Sequence, residues 1–117
     1  MKHSAIWQKH CSPSWDEITC INRIQRMILV YSILYYDYDI SPLSDFEYDE
    51  LAHELADTMS TFKDVKNTRF YYVFEDYNGS TGCYLRSRLN DRDQEIIDRI
   101  VEAGVRLHSG EKQLTFN

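Results

Sequence analysis

From Ile18 onward, apolar and aromatic residues recur at steps of three and four: Ile18, Ile21, Ile24, Ile28, Tyr31, Tyr35 and Tyr38. Such a series falls on one face of a helix. Leu29, Val30, Ile33 and Leu34 fill a second face, so the middle of this helix, about residues 15–38, is expected to be buried nearly all round. Ser14, just after Pro13, has Glu17 three residues on, the spacing of a capping box. The helix is expected to stop within residues 37–42, because Pro42 cannot continue it and pushes Ser41 toward extended geometry. A second capping box follows at Ser44 and Glu47. It opens a helix over about residues 45–59 whose inner face is Leu51, Leu55 and Met59, with Ala52 and Ala56 beside them. So short a connection between two amphipathic helices predicts an antiparallel pair.

The pattern changes after Thr61. Arg69–Phe74 is rich in aromatics with a valine, a composition that favours a strand. Asn78-Gly79-Ser80-Thr81-Gly82 is a turn cluster, and Cys83–Arg86 is expected to return as the second strand of a short β-hairpin, about residues 69–86. Asn90 caps a third helix, about residues 91–107, with Ile96, Ile97, Ile100, Val101 and Leu107 as its inner face. Residues 1–13 read as a poorly specified arm and the polar tail from Ser109 as frayed. The expected fold is mainly α (α+β): one domain over residues 1–117, with a helical pair at 15–60 and a hairpin plus helix at 61–110.

Composition narrows the function. The 117 residues are 43% hydrophobic and 14% aromatic, with four glycines and two prolines, which suits a small packed domain rather than a disordered chain. A formal charge of −6 repels phosphate backbones, and Asp91 and Asp93 dilute the basic residues Arg86, Arg88 and Arg92, so no nucleic-acid partner is expected. The apolar run Met27–Leu34 is too short to span a membrane. His3, Gln8, Lys9 and His10 interrupt any apolar stretch of a signal peptide. Three widely spaced cysteines (Cys11, Cys20 and Cys83) suit reduced thiols in a cytoplasmic setting. His3, His10, Cys11 and Cys20 match no zinc-site spacing, and no metal or cofactor is expected. His53 and His108 read as ordinary solvent-facing histidines.

The segment Tyr35-Tyr36-Asp37-Tyr38-Asp39-Ile40-Ser41-Pro42-Leu43-Ser44-Asp45-Phe46-Glu47-Tyr48-Asp49-Glu50-Leu51 resembles the N-terminal Ia subdomain of NAD-dependent DNA ligases. That family carries Tyr followed by His or Tyr at the end of one helix, a connection with an acidic residue and a proline, and then a (Ser/Pro)-Asp-x-x-Tyr-Asp-x-Leu motif opening the next helix. The motif stands here at residues 44–51, with the proline of the connection displaced by one position. The resemblance covers residues 20–60. It implies binding of the nicotinamide mononucleotide half of NAD by Tyr35, Tyr36, Asp45, Tyr48 and Asp49. Phe70–Gly82 resembles a segment of small ligase-related phage proteins.

The residue types suit that chemistry on their own terms. Tyrosine rings can sandwich a flat base, and a cationic nicotinamide gains about 0.5–2 kcal/mol from their faces. Asp45 and Asp49, four apart on one helical face, accept from ribose hydroxyls or a carboxamide. The plainer reading is that aspartates at a helix start complement its dipole and that helical tyrosines are core or rim. Gly79, Ser80, Thr81 and Gly82 form a candidate phosphate turn with N–H groups converging on an anion, and Arg69, Arg86 or Arg88 is the candidate counter-charge; a plain turn is the simpler alternative.

A ligase needs a nucleophilic lysine in a Lys-x-Asp-Gly setting, and none of Lys2, Lys9, Lys63, Lys66 and Lys112 stands in one. The expectation is therefore a non-catalytic binder of an NAD-derived nucleotide (like nicotinamide mononucleotide, ADP-ribose or cyclic ADP-ribose). Its use would be to sequester a host immune signal for a virus, acting in the host cytoplasm. A hydrolase using the same carboxylates and a protein-interaction module are the alternatives. A homo-oligomer completing the site across an interface is a further expectation.

Overall fold

A computed structural model of the protein describes residues 2–80 and 82–116, with side chains described as far as residue 109. Five helices follow one another among these residues: α1 (Ala5–Gln8), α2 (Glu17–Tyr38), α3 (Asp45–Thr61), α4 (Tyr71–Phe74) and α5 (Asp91–Phe116). Single 3-10 turns at Val65–Asn67 and Leu85–Arg88 join the later ones. α2 is the axis of the molecule, with α3 and α5 packed along it and α1 against α3. Ile21, Ile24, Ile28 and Leu29 are wholly inaccessible to solvent, so the two-faced burial expected of α2 is present. No described helix is long and apolar enough to cross a membrane.

The caps show how closely the boundaries follow local chemistry. The Ser44 hydroxyl accepts from the Glu47 N–H at 3.1 Å, and Asn90 Oδ1 accepts from the Asp93 N–H at 2.8 Å; both caps sit where the sequence puts them. The start of α2 differs: the cap is Asp16, which accepts from the Thr19 N–H at 2.8 Å, and not Ser14. Bonds from the Thr19 hydroxyl and then its N–H hold the Asp16 carboxyl below its ordinary pKa. α2 ends at Asp39, whose φ of 56° puts it in the left-handed region, and the next N–H, of Ile40, returns to the Leu34 carbonyl at 2.9 Å. This closure belongs to glycine or asparagine in most helices; here an aspartate takes it.

The expected β-hairpin at residues 69–86 is absent: among the described residues there is no strand. Its first half is α4, and the reason lies in spacing. Phe70, Val73, Phe74 and Tyr77 are the buried positions, at steps of three, one and three, which is a helical face and not the alternation of a strand. The backbone donors that a strand would send across a ladder go to α2 side chains. Asn22 Oδ1 takes the Arg69 N–H at 2.7 Å, and Gln25 Oε1 takes the Phe70 N–H at 3.1 Å. Gln25 is fully buried, and its amide also donates to Thr68 Oγ1 at 2.9 Å. A polar residue in the middle of an apolar helix thus fixes where the second half begins. The returning segment is the 3-10 turn, with Leu85 and Leu89 buried four residues apart.

Two further differences concern the ends. The N-terminal arm is ordered by its own contacts: the Trp7 side chain is buried, and the His3 ring stacks on it at 4.0 Å and 8°. His3 Nδ1 pairs with Glu54 at 2.7 Å, and Nε2 pairs with Glu17. Glu54 also accepts from the Ser4 N–H at 3.1 Å and the Ser4 hydroxyl at 2.5 Å. At the other end, α5 continues past residue 107 to Phe116. Its buried face is Asp93, Ile97 and Val101, while Ile96 and Leu107 are exposed.

Candidate functional site

The turn from α2 to α3 shapes a cavity of about 250 Å³. Tyr31, Tyr35 and Tyr36 reach it from the last turns of α2, Asp45, Tyr48 and Asp49 from the first turns of α3, and Ser41–Leu43 from the link between them. Ser80 closes one side from the later loop. All five residues that the ligase resemblance singles out, Tyr35, Tyr36, Asp45, Tyr48 and Asp49, therefore line one cavity. The left-handed Asp39 is what lets the chain reverse quickly enough to bring the two helix ends together.

Within the cavity the tyrosines are of two kinds. Tyr35 and Tyr36 are about half exposed and meet edge to face at 5.0 Å and 87°. Tyr48 is anchored instead. Ser32 Oγ donates to the Ile28 carbonyl at 2.6 Å, so the Tyr48 hydroxyl, 2.5 Å away, is the donor to Ser32. Burial pushes the Tyr48 phenol above its ordinary pKa. Tyr77 lies behind it, its phenol pushed higher still by burial and by the neighbouring phenols of Tyr48, Tyr84 and Tyr36. Both stay protonated across the physiological range, and the Tyr48 ring is held in place from behind.

The glycines of the later loop serve this anchor. A β-carbon on Gly82 would lie 2.3 Å from Ser32 Oγ and 2.8 Å from the Tyr48 hydroxyl, so only glycine fits beside the bond. Gly79 has φ of 81°, and a β-carbon added there would lie 3.1 Å from the α3 backbone at Ala52 and His53, a conformation and an approach that suit glycine. The phosphate turn expected here has a different form. The Ser80 N–H and hydroxyl both donate to Asn78 Oδ1, at 2.9 and 2.6 Å, so these donors are committed within the loop. Thr81 lies outside the described residues. Arg86 does not line the cavity: it pairs with Asp98 at 3.1 Å and borders a separate recess with Asp37 and Tyr38.

The electrostatics are one-sided. Asp45 and Asp49 are both exposed, no lysine or arginine lines the cavity, and neither carboxylate has an ion-pair partner among the described residues. Aromatic faces and unpaired carboxylates together attract a flat, positively charged ring carrying hydroxyl donors. Tyr31 and Ser32 are the contributors that the sequence reading left unassigned to a site. Each stands one helical turn before a predicted site tyrosine, Tyr35 and Tyr36 respectively, and that spacing of four is the signal that finds them.

Elsewhere, His3 faces carboxylates on both ring nitrogens, and among the described residues no group of three or more histidines, cysteines or acids is placed to hold a metal ion. No family model matches the chain, and no curated protein or solved structure is significantly similar to it.

Proposed function

We propose that the protein holds the nicotinamide–ribose end of an NAD-derived nucleotide in the cavity at the α2–α3 turn, and holds it without converting it. The observation that carries this reading is the convergence of Tyr35, Tyr36, Tyr48, Asp45 and Asp49 on a single cavity of about 250 Å³. That volume lies just under the range of drug-sized pockets, about 300–1,000 Å³, which suits one nucleoside and not a whole dinucleotide. Tyr35 and Tyr36 give ring faces for the pyridinium, the anchored Tyr48 gives a fixed wall, and Asp45 and Asp49 accept from the ribose hydroxyls or the carboxamide. With no lysine or arginine in the lining among the described residues, phosphate points out toward solvent. Sequestration of a nucleotide signal by a virus is the biological role that fits a binder of this size.

Calorimetry tests the reading. Nicotinamide mononucleotide is expected to bind and to be recovered intact by chromatography after incubation and denaturation. ADP-ribose and cyclic ADP-ribose, which lack a free nicotinamide riboside, are expected to bind more weakly. No heat with any of the three refutes the proposal, and cleavage of the ligand converts it to the hydrolase reading.

A further inference from the structure

Two exposed surfaces, one far from the cavity and one at its edge, complement each other and cannot meet within one molecule. The first is a groove between the N-terminal half of α2 and α5. Trp15, Phe70, Ile96 and Ile100 give it an apolar floor, and Arg23 and Arg26 border it. Trp15 is 41% and Ile96 39% exposed, so the groove presents apolar surface to solvent. Arg69 also borders the groove but is bound by Asp93, whereas Arg23 and Arg26 have no carboxylate partner among the described residues. The second surface is the outer face of the first turn of α3. Phe46 is 67% exposed there. Asp49 and Glu50, three and four residues on, share its side of the helix, are exposed, and have no cationic partner among the described residues.

An aromatic ring among unpaired carboxylates matches an apolar floor beside unpaired guanidiniums. Phe46 stands beside the C-terminal end of α2, while the groove flanks its N-terminal half, some 15 residues and about 20 Å away along the helix. A chain therefore cannot fill its own groove. We infer that the occupant of the groove is a second copy of this chain, with Phe46 seated against Trp15 and Ile96 and the Asp49–Glu50 carboxylates against Arg23 and Arg26. The contact is heterologous: one copy gives Phe46 and the other gives the groove. Asp49 also lines the cavity, so the contact and a cavity ligand draw on the same carboxylate, whereas Phe46 and Glu50 lie outside the cavity lining.

Sedimentation analysis of the full chain tests this between about 10 µM and 1 mM, the span of weak association constants. The wild type is expected to exceed monomer mass with rising concentration, and less so in high salt. Phe46→Ser and Arg26→Glu each alter an exposed side chain and are expected to keep the helical circular dichroism while weakening association at least about tenfold. The deciding sample is their equimolar mixture, in which one variant keeps the groove and the other keeps Phe46. A 1:1 dimer that grows no further supports the contact. A wild type that stays monomeric throughout, variants that associate like the wild type, or a mixture that remains monomeric overturns it.

Discussion

The α2–α3 pair has two ends, and they treat their carboxylates in opposite ways. At the end where α2 begins, Glu17 and Glu54 are drawn together by His3, and the Ser4 N–H and hydroxyl add two more bonds to Glu54. Trp7 seals the arrangement from the core side. At the end where α2 stops, Asp45 and Asp49 have no cationic partner among the described residues and stand beside half-exposed tyrosines. A carboxylate with partners stabilises the fold, while one without them leaves its acceptor capacity for something that arrives. The first end is built to hold the chain, and the second is available to a ligand.

The sharpest way to break that contrast is at Trp7. Trp7→Ala removes a fully buried indole and the surface on which His3 stacks, so stability is expected to fall by about 3–5 kcal/mol. Chemical denaturation measures it, and below its midpoint the variant should still bind nicotinamide mononucleotide. Glu54→Ala is next. It strands the partly buried His3 ring nitrogen and removes the acceptor of the exposed Ser4 donors, and a loss of about 1–2 kcal/mol follows. If either variant abolished ligand binding while folded, the two ends would not be separable.

The sequence made one of these ends legible and hid the other. The cavity end follows from contiguous signals: a helical series ending near Tyr38, a proline, and a capping box whose first two turns carry both aspartates. Residues 35–49 hold all five predicted site residues, with Tyr31 and Ser80 completing the lining. The stapled end depends on a contact 51 residues apart, between His3 and Glu54, and no local pattern announces it. The hairpin error has a similar source. RFYYVF has strand composition, and strand propensity reflects half-buried packing more than backbone preference. What decides is that Gln25 and Asn22, some 45 residues earlier, take the backbone donors of Arg69 and Phe70. The spacing of Phe70, Val73, Phe74 and Tyr77 was in the sequence all along, and period outweighs composition when the two disagree.

Asp93 extends the partnered class to α5 and gives it a pH signature. Bonds from the Arg69 guanidinium, then from the Tyr72 hydroxyl at 2.5 Å, hold its carboxyl below the ordinary aspartate value of 3.8. A carboxyl with a lowered folded-state pKa contributes stability that is complete above the unfolded-state value. It is lost as pH falls through the lowered native value. Thermal melts from pH 6 downward should therefore show an acid limb beginning near pH 4. Asp93→Asn should flatten part of that limb and lower stability at neutral pH. An unchanged limb would place the acid sensitivity elsewhere.

Gly82→Ala joins the two behaviours, because it is a packing change that reads out at the open end. The added methyl cannot coexist with the Tyr48–Ser32 bond, so either the loop or the tyrosine moves. A cost of about 1–3 kcal/mol is expected, together with weaker ligand binding. Tyr48→Phe removes only the hydroxyl and should reproduce part of the binding loss with a smaller change in stability, which attributes the effect to the anchor.

The smallest expected change in stability is the most informative. Asp49→Asn keeps the shape of an exposed side chain that has no partner to lose, so its effect should lie within about 0.5 kcal/mol. The same change halves the negative charge facing the cavity and replaces an acceptor-only group with one that also donates. Affinity for nicotinamide mononucleotide should fall by about tenfold, the size of one charged hydrogen bond. The cavity then differs from the stapled end in kind, since there a comparable change at Glu54 costs stability and spares the ligand. Should Asp49→Asn instead destabilise the protein and leave affinity intact, the aspartate is serving the start of α3 through its dipole, and the open end is structural after all.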